Sequence, residues 1–308
     1  NDEYVDSVNG FVAPDGLIQV VAADQTFQVE QFLEGEINIL DTPAVNRRAD
    51  IRAGEGVQVY DYPGNTWDYF AFNTADPSNP LPALEDGNRV DQGLHPVFGE
   101  KLVRQAIAHA VNVEEIIQGA VFGEGARMTA HITPGSWAYN NDLPPRAYDP
   151  ELALEMLAEA GWVPNDDGRL VCQVCAYAEA NPEFEGSEFE FDLMTNAGNT
   201  RREAVGTIIQ DQLDEIGITV NFQTIEFNTL LDLRNTQTFD AVIAGFRAGY
   251  PDAPSTVQLF GPAADVPESG FNFTSFYNER FWELEQQALA VPGCSEEDRA
   301  PLEEVSRA

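Results

Sequence analysis

Residues 188–245 read EFEFDLMTNAGNTRREAVGTIIQDQLDEIGITVNFQTIEFNTLLDLRNTQTFDAVIAG, and this stretch decides the fold. Phe189, Phe191 and Leu193 alternate with Glu188, Glu190 and Asp192, the period of a half-buried strand. Thr200 and Glu203 have the spacing of a capping box. Val205, Ile208, Ile209 and Leu213 then form one helix face, ended by Gly217. Ile218-Thr-Val-Asn-Phe222 predicts a second strand, and a helix follows from about Asn228 to Leu233. Phe239-Asp-Ala-Val-Ile-Ala-Gly245 is nearly all apolar, as a strand covered on both faces should be. The order β-α-β-α-β predicts a parallel sheet with right-handed crossovers. Ligands of such sheets bind outside the carboxyl ends of the strands, beside helix N-termini. That rule nominates Thr195-Asn-Ala-Gly-Asn199 and Phe246-Arg-Ala-Gly-Tyr250.

Upstream, helices are expected. Leu102, Ala106 and Ala110 with Val103, Ile107 and Val111 make an apolar stripe at i, i+4 spacing. Asn112 and Glu115 predict the cap of a second helix that stops at Gly119. Asp149 and Pro150 open a third, lined by Ala153, Met156, Leu157 and Ala160 and ended by Gly161. Tyr69-Phe-Ala-Phe72 is expected to be a strand ending at Asn73. Further towards the N-terminus, Leu17 to Ala22, Glu36 to Leu40 and Val57 to Tyr62 are expected to form short strands.

Composition narrows the classes of function. At 308 residues the chain suggests two domains, and no stretch approaches the ~18 apolar residues of a membrane helix. Fifty-two acids face 16 bases, for a net charge of −36, and Lys101 is the sole lysine. Such a surface repels nucleic acid and anionic lipid. It suits either a cationic ligand or a solvated, highly soluble exterior. Chemistry-bearing motifs are missing: there is no GxxxxGK, no GxSxG and no HExxH, and His95, His109 and His131 are scattered. No cofactor, metal site or catalytic residue is expected. Cys172-Gln-Val-Cys175 follows the turn Asn165-Asp-Asp-Gly168 and sits in a hairpin or loop rather than at a helix start. A local disulfide, free thiols and a metal site are the readings open to it. Cys294 has no neighbour in sequence.

Several stretches in order resemble the family 5 extracellular solute-binding proteins, the dipeptide, oligopeptide and nickel receptors of ABC importers. They are Val103-Arg-Gln-Ala-Ile-Ala-His-Ala-Val-Asn-Val-Glu-Glu-Ile-Ile117, Pro134-Gly-Ser-Trp-Ala-Tyr-Asn140, Tyr148-Asp-Pro-Glu-Leu-Ala153, Leu157-Ala-Glu-Ala-Gly-Trp162, Ile209-Gln-Asp-Gln-Leu-Asp-Glu-Ile-Gly-Ile218 and Tyr250-Pro-Asp252. The resemblance implies an α/β fold of the periplasmic-binding-protein-like type II, two lobes that close on a solute. It assigns residues 1–66 to the end of lobe I and 67–308 to lobe II, with Trp67 to Asn73 as a crossing strand. It implies a fragment truncated at both ends, from a receptor anchored outside the cytoplasm as a lipoprotein. The receptor acts as a monomer, takes a peptide or other small polar solute, and docks on ABC permease subunits.

The strand-end rule and the resemblance together give the candidate binding residues, each with a plain structural reading beside it. Asn73 ends the crossing strand or is a turn residue. Trp137 and Tyr139 line the cleft or pack under their loop. Asn196, Gly198 and Asn199 present a strand end and a helix N-terminus to a ligand oxygen, or Asn199 or Thr200 simply caps the helix. Arg247 meets an anionic group or a surface carboxylate. Peptide-binding relatives carry an aspartate where Gly249 stands, which pairs with the peptide ammonium. That anchor is missing here unless Asp252 supplies it, and Tyr250 lies between them. An extracytoplasmic hydrolase, or a surface receptor or adhesion module that lost transport, is the alternative on the same fold.

Overall fold

The computed structural model describes residues 16–290, apart from 22–23, 42, 62–63, 65, 135, 137–138 and 248–256. The chain divides into two compact units, Asn1–Tyr60 and Asp61–Ala308.

In the first unit the described elements are helical: α1 (Gln25–Leu33), a 3-10 turn (Val45–Arg47) and α2 (Arg48–Ala53). Asp24 caps α1, its carboxylate accepting from the N–H groups of Thr26 at 2.7 Å and Phe27 at 3.0 Å. The strands expected in this region do not form among the described residues. An alternating strand is stable only if a neighbour completes its ladder and covers its apolar face. Ile18, Val21, Ile39 and Tyr60 instead stand 74–88% exposed.

The second unit runs β1 (Thr66–Phe72), β2 (Leu84–Glu85), β3 (Asn88–Arg89), α3 (Lys101–Ala110), α4 (Val113–Val121), α5 (Pro150–Glu159), β4 (Trp162–Pro164), β5 (Leu170–Cys172) and α6 (Ala176–Ala180). It continues with β6 (Glu190–Asn196), α7 (Thr200–Asp214), β7 (Thr219–Ile225), α8 (Phe227–Asn235), β8 (Ala241–Arg247), α9 (Val257–Phe260) and α10 (Glu279–Ala290). The main sheet has the order β1-β8-β6-β7. β6 is parallel to both β7 and β8, as the sequence predicts, and α7 and α8 are the crossovers. β1 joins the edge antiparallel, pairing Thr66 with Arg247 and Phe72 with Ala241.

Alternation along the strands sends side chains to two different cores. On one face Phe191, Leu193, Val220, Ala241 and Ile243 pack with Ile107 of α3, Leu157 of α5 and Ile209 and Leu213 of α7; Phe70 and Phe72 of β1 join them. Fully burying each of the Val, Leu, Ile and Phe191 side chains among these stabilises the fold by about 1.5–3 kcal/mol. On the other face Met194, Val242 and Ala244 pack with Leu230 of α8 and Phe273, and Tyr69, Ala71 and Phe246 extend that cluster. The strand read as buried on both faces is indeed so, with Ala241 to Ala244 all buried.

Local expectations fare unevenly. Asp149 caps α5 through the Leu152 N–H, and Gly161 and Gly217 follow their helices at φ near +80°. Cys172 and Cys175 form a disulfide, 1% and 2% exposed. Cys172 ends β5 of the β4–β5 hairpin but, contrary to expectation, Cys175 is the N-cap residue of α6, so the pair does stand at a helix start after a strand. α4 does not stop at Gly119 but runs to Val121, where Phe122 turns left-handed. The glycine serves packing instead: a Cβ there would meet Ile208 of α7 at 2.8 Å. The N-cap of α7 is Asn199 rather than Thr200, its Oδ1 accepting from the Arg202 N–H, while Glu203 reaches back to the Gly198 N–H.

A buried staple fixes the start of β8. His95 Nδ1 accepts from the N–H groups of Val97 and Phe98, which leaves Nε2 to donate to Asp240 at 3.1 Å. Burial pushes the Asp240 carboxyl up, but the His95 bond and the Asp192 N–H outweigh it and hold it below the usual range.

Candidate functional site

The carboxyl ends of β6 and β8 lie on one edge of the sheet, because the strands are parallel and in register from Leu193–Ala241 onward. The Thr195 hydroxyl ties them, donating to the Ile243 carbonyl at 2.9 Å. Antiparallel β1 brings its own start, Trp67 and Asp68, to the same edge opposite Phe246 and Gly245.

Next to this edge a cavity of about 390 Å³ opens on the sheet face carrying Tyr69 and Phe246. This is within the ~300–1,000 Å³ of small-molecule sites. Its floor is aromatic. Tyr69 stacks on Phe246 at 5.3 Å, Trp67 lies 5.3 Å from Tyr69 and 5.7 Å from Phe246, and Phe273 is 6.3 Å from Tyr69. Met128, Thr129, Ala130 and His131 form one wall, and Leu259, Phe260 and Phe271 another.

Two titratable rings in the lining are shifted by burial. The Tyr69 phenol is pushed up to about 12 by desolvation, against the opposing fields of Arg234 and Arg202. The His131 imidazole is pushed down to about 4 by desolvation alone. Its Nε2 is sealed from solvent without a hydrogen-bond partner, and its ring meets the edges of Phe260 at 5.4 Å and Phe281 at 6.2 Å.

Asp68 anchors the cavity to the helix N-terminus. Its Oδ2 accepts from Arg201 Nε at 2.7 Å, and its Oδ1 accepts from Arg202 Nε and Nη2 at 3.1 and 3.0 Å. Gly245 makes room for this cluster: a Cβ there would lie 2.4 Å from Asp68 Oδ1 and 2.7 Å from Arg202 Nη2.

The sequence-nominated residues divide. Asn196 sits on the rim, its Oδ1 accepting from Arg202 Nη1 at 2.8 Å. Gly198 and Asn199 belong to the α7 cap beside it. Tyr139 meets Thr129 of the cavity wall through its hydroxyl at 3.3 Å, and Arg247 stands exposed at the end of β8. Asn73 lies at the other end of the sheet, about 20 Å along the strand from the rim. It is fully buried, its Nδ2 donating to the Gln237 carbonyl and its Oδ1 accepting from the Ala75 N–H. Trp137, Gly249, Tyr250 and Asp252 lie outside the described residues, as does Cys294. Sequence reasoning passed over Trp67, Asp68, Tyr69, His131, Arg202 and the phenylalanines of 260–273. Aromatics on both faces of β1 were the available signal. Among the described residues no cluster of three histidine, cysteine or carboxylate groups is placed to hold a metal, and no helix is long and apolar enough to cross a membrane.

The fold, a parallel core with an antiparallel edge strand and an aromatic cavity along that strand, is an α/β fold of the periplasmic-binding-protein type II class. The oligopeptide-binding protein AppA from Bacillus subtilis, solved in complex with a nonapeptide, superposes with a TM-score of 0.73 at 25% identity, covering 93% of this chain and 51% of that one. The chain belongs to the bacterial extracellular solute-binding proteins of family 5, whose "Middle" model matches residues 1–267. That family is made of solute-binding receptors. The sequence of AppA is 29% identical over 258 residues, 82% of this chain and 41% of that protein. The heme-binding protein A of Haemophilus influenzae is 24% identical over 288 residues, 94% of this chain and 45% of its own length. The dipeptide-binding protein of Escherichia coli is 23% identical over 282 residues, 90% and 44%. The chain thus spans about half the length of these relatives or less.

Proposed function

We propose that the chain is the solute-recognising part of an ABC-importer receptor that acts outside the cytoplasm. It captures a peptide or other small polar solute and delivers it to a membrane permease without covalent chemistry. Residues 67–308 correspond to lobe II and residues 1–66 to the end of lobe I in this reading. The observation that carries it is the 390 Å³ aromatic cavity along the edge strand β1, next to the carboxyl end of β8 at Phe246; ligands of such sheets bind near the carboxyl ends of strands. Relatives named for oligopeptide and dipeptide binding support a peptide as the solute. Asn196, Gly198, Asn199, Tyr139 and Arg247 do not themselves line the cavity; Asn196 is linked to it through Arg202 and Asp68, and Tyr139 through Thr129. With Trp137, Gly249, Tyr250 and Asp252 they complete the proposed binding set, from which buried Asn73 stands apart.

The test is a thermal-shift screen of the full-length protein against short peptides, amino acids and sugars. A true solute at 100 times its Kd stabilises by about 2.7 kcal/mol. Trp67→Ala should abolish most of the shift while leaving a folded protein. Cleavage of the stabilising peptide would point to the hydrolase alternative, and a full-strength shift in the Trp67 variant would remove the cavity from the site.

A further inference from the structure

The cavity combines three features that bear on which solute it takes. Its walls are largely aromatic, with Trp67, Tyr69, Phe246 and Phe271 among them. Asp68, the one carboxylate among the described lining residues, is already engaged by two guanidiniums. His131, the one imidazole there, has its Nε2 sealed and unpartnered, so a proton on it would be an uncompensated buried charge.

We infer that the cavity receives a bulky, uncharged side chain of a peptide solute, aromatic by preference, and rejects charged ones. The inference rests on the receptor reading given above and adds the class of side chain that this site selects. Among the described lining residues a lysine or arginine side chain finds no unspent carboxylate, and it meets a cluster in which Arg201 and Arg202 outnumber Asp68. An aspartate or glutamate loses hydration that phenyl and indole walls do not replace, and Arg202 is committed to Asp68 and Asn196. A planar apolar group gives up little hydration and finds ring faces and edges at contact distance.

The measurement is isothermal titration of the full-length receptor with trialanine peptides that carry Phe, Trp, Leu, Lys or Glu at each position in turn, and with free indole. At one position the Phe or Trp peptide should bind at least about tenfold tighter than its Lys or Glu counterpart. Phe271→Ala should narrow that ratio; the residue is 51% exposed, so its loss does not threaten folding. The ratio in the unmodified protein needs no variant. Peptides that bind with no preference among these side chains overturn the inference and leave the receptor reading standing. Indole that binds where no peptide does overturns the peptide reading itself, and the occupant named here falls with it.

Discussion

The two faces of the four-stranded sheet use the same strands for opposite ends. On one, α3, α5 and α7 close over Phe191, Leu193 and Ile243, each no more than 2% exposed. On the other, α8 covers Met194 and Val242, and the sheet beyond opens into the aromatic cavity. β1 shows the contrast within seven residues: Phe70 and Phe72 pack against the closed core, while Trp67 and Tyr69 face the open side. Stability and recognition are therefore separable by strand parity except on the edge strand β1, where Asp68 and Phe70, of the closed-face parity, also border the cavity. Substitutions on one face should unfold the protein, and substitutions on the other should mainly cost solute.

The largest effect tests the closed face. Leu193 is fully buried, so Leu193→Ala should cost about 2–5 kcal/mol through lost transfer energy and a cavity that the helices cannot fill. Urea unfolding followed by circular dichroism reads it directly. Trp67→Ala, two strands away on the other face, should lose less stability and more solute affinity. Equal stability losses at the two sites would erase the distinction.

A second break falls where the faces meet the rim. Gly245→Val places a side chain against Asp68, Arg202 and the Trp67 carbonyl. It should cost about 1–3 kcal/mol as an overpacked site. Because the same clash separates Asp68 from Arg202, a double-mutant cycle with Asp68→Asn should show strong non-additivity. Additive effects would mean that the glycine matters only for strand pairing.

The parallel core was legible because its signals are local. Alternation in Glu188 to Asp192, the helix face of Val205 to Leu213 and the apolar run at Phe239 to Gly245 each specify one element without reference to the rest of the chain. The cavity was not, because it depends on a register between distant strands. Nothing near Trp67 shows that it will lie beside Phe246, and nothing near Asn73 shows that antiparallel pairing carries it to the far end of the sheet. His131, Phe260, Phe271 and Phe273 lie in segments with no periodicity to read. In residues 1–60 short apolar runs suggested strands, but a strand is a pairwise object and their partners are not among the described residues. At α7 the error was a single residue: Asn199 and Thr200 are both competent caps, and only the chain's path out of β6 selects the first.

The smallest effect sharpens the contrast through pH. His131 ordinarily titrates near 6.5 and is pushed down to about 4 in the folded protein by burial beside the cavity. Between those values the unfolded chain binds a proton that the native protein does not, so stability falls as pH drops from about 6.5 towards 4. The contribution is of order 1–3 kcal/mol and is fully present above pH 6.5. Carboxyls are shifted in both directions as well, Glu100 and Asp265 upward chiefly by burial, Glu226 downward by backbone hydrogen bonds and Asp240 downward. Asp240, held low chiefly by His95 against its burial, loses its stabilising contribution as acid protonates it. Asp265, pushed up by burial against the donors Gln92, Gln237 and Ser275, gains stability on protonation. The net profile of the native protein therefore mixes several groups, and the comparison has to be made with His131→Phe. That variant keeps an aromatic ring between Phe260 and Phe281 and removes only the proton. Its unfolding free energy, followed from pH 7 to pH 4, should decline less steeply than that of the native protein; parallel profiles would show that His131 is hydrated from the cavity and titrates as an ordinary histidine.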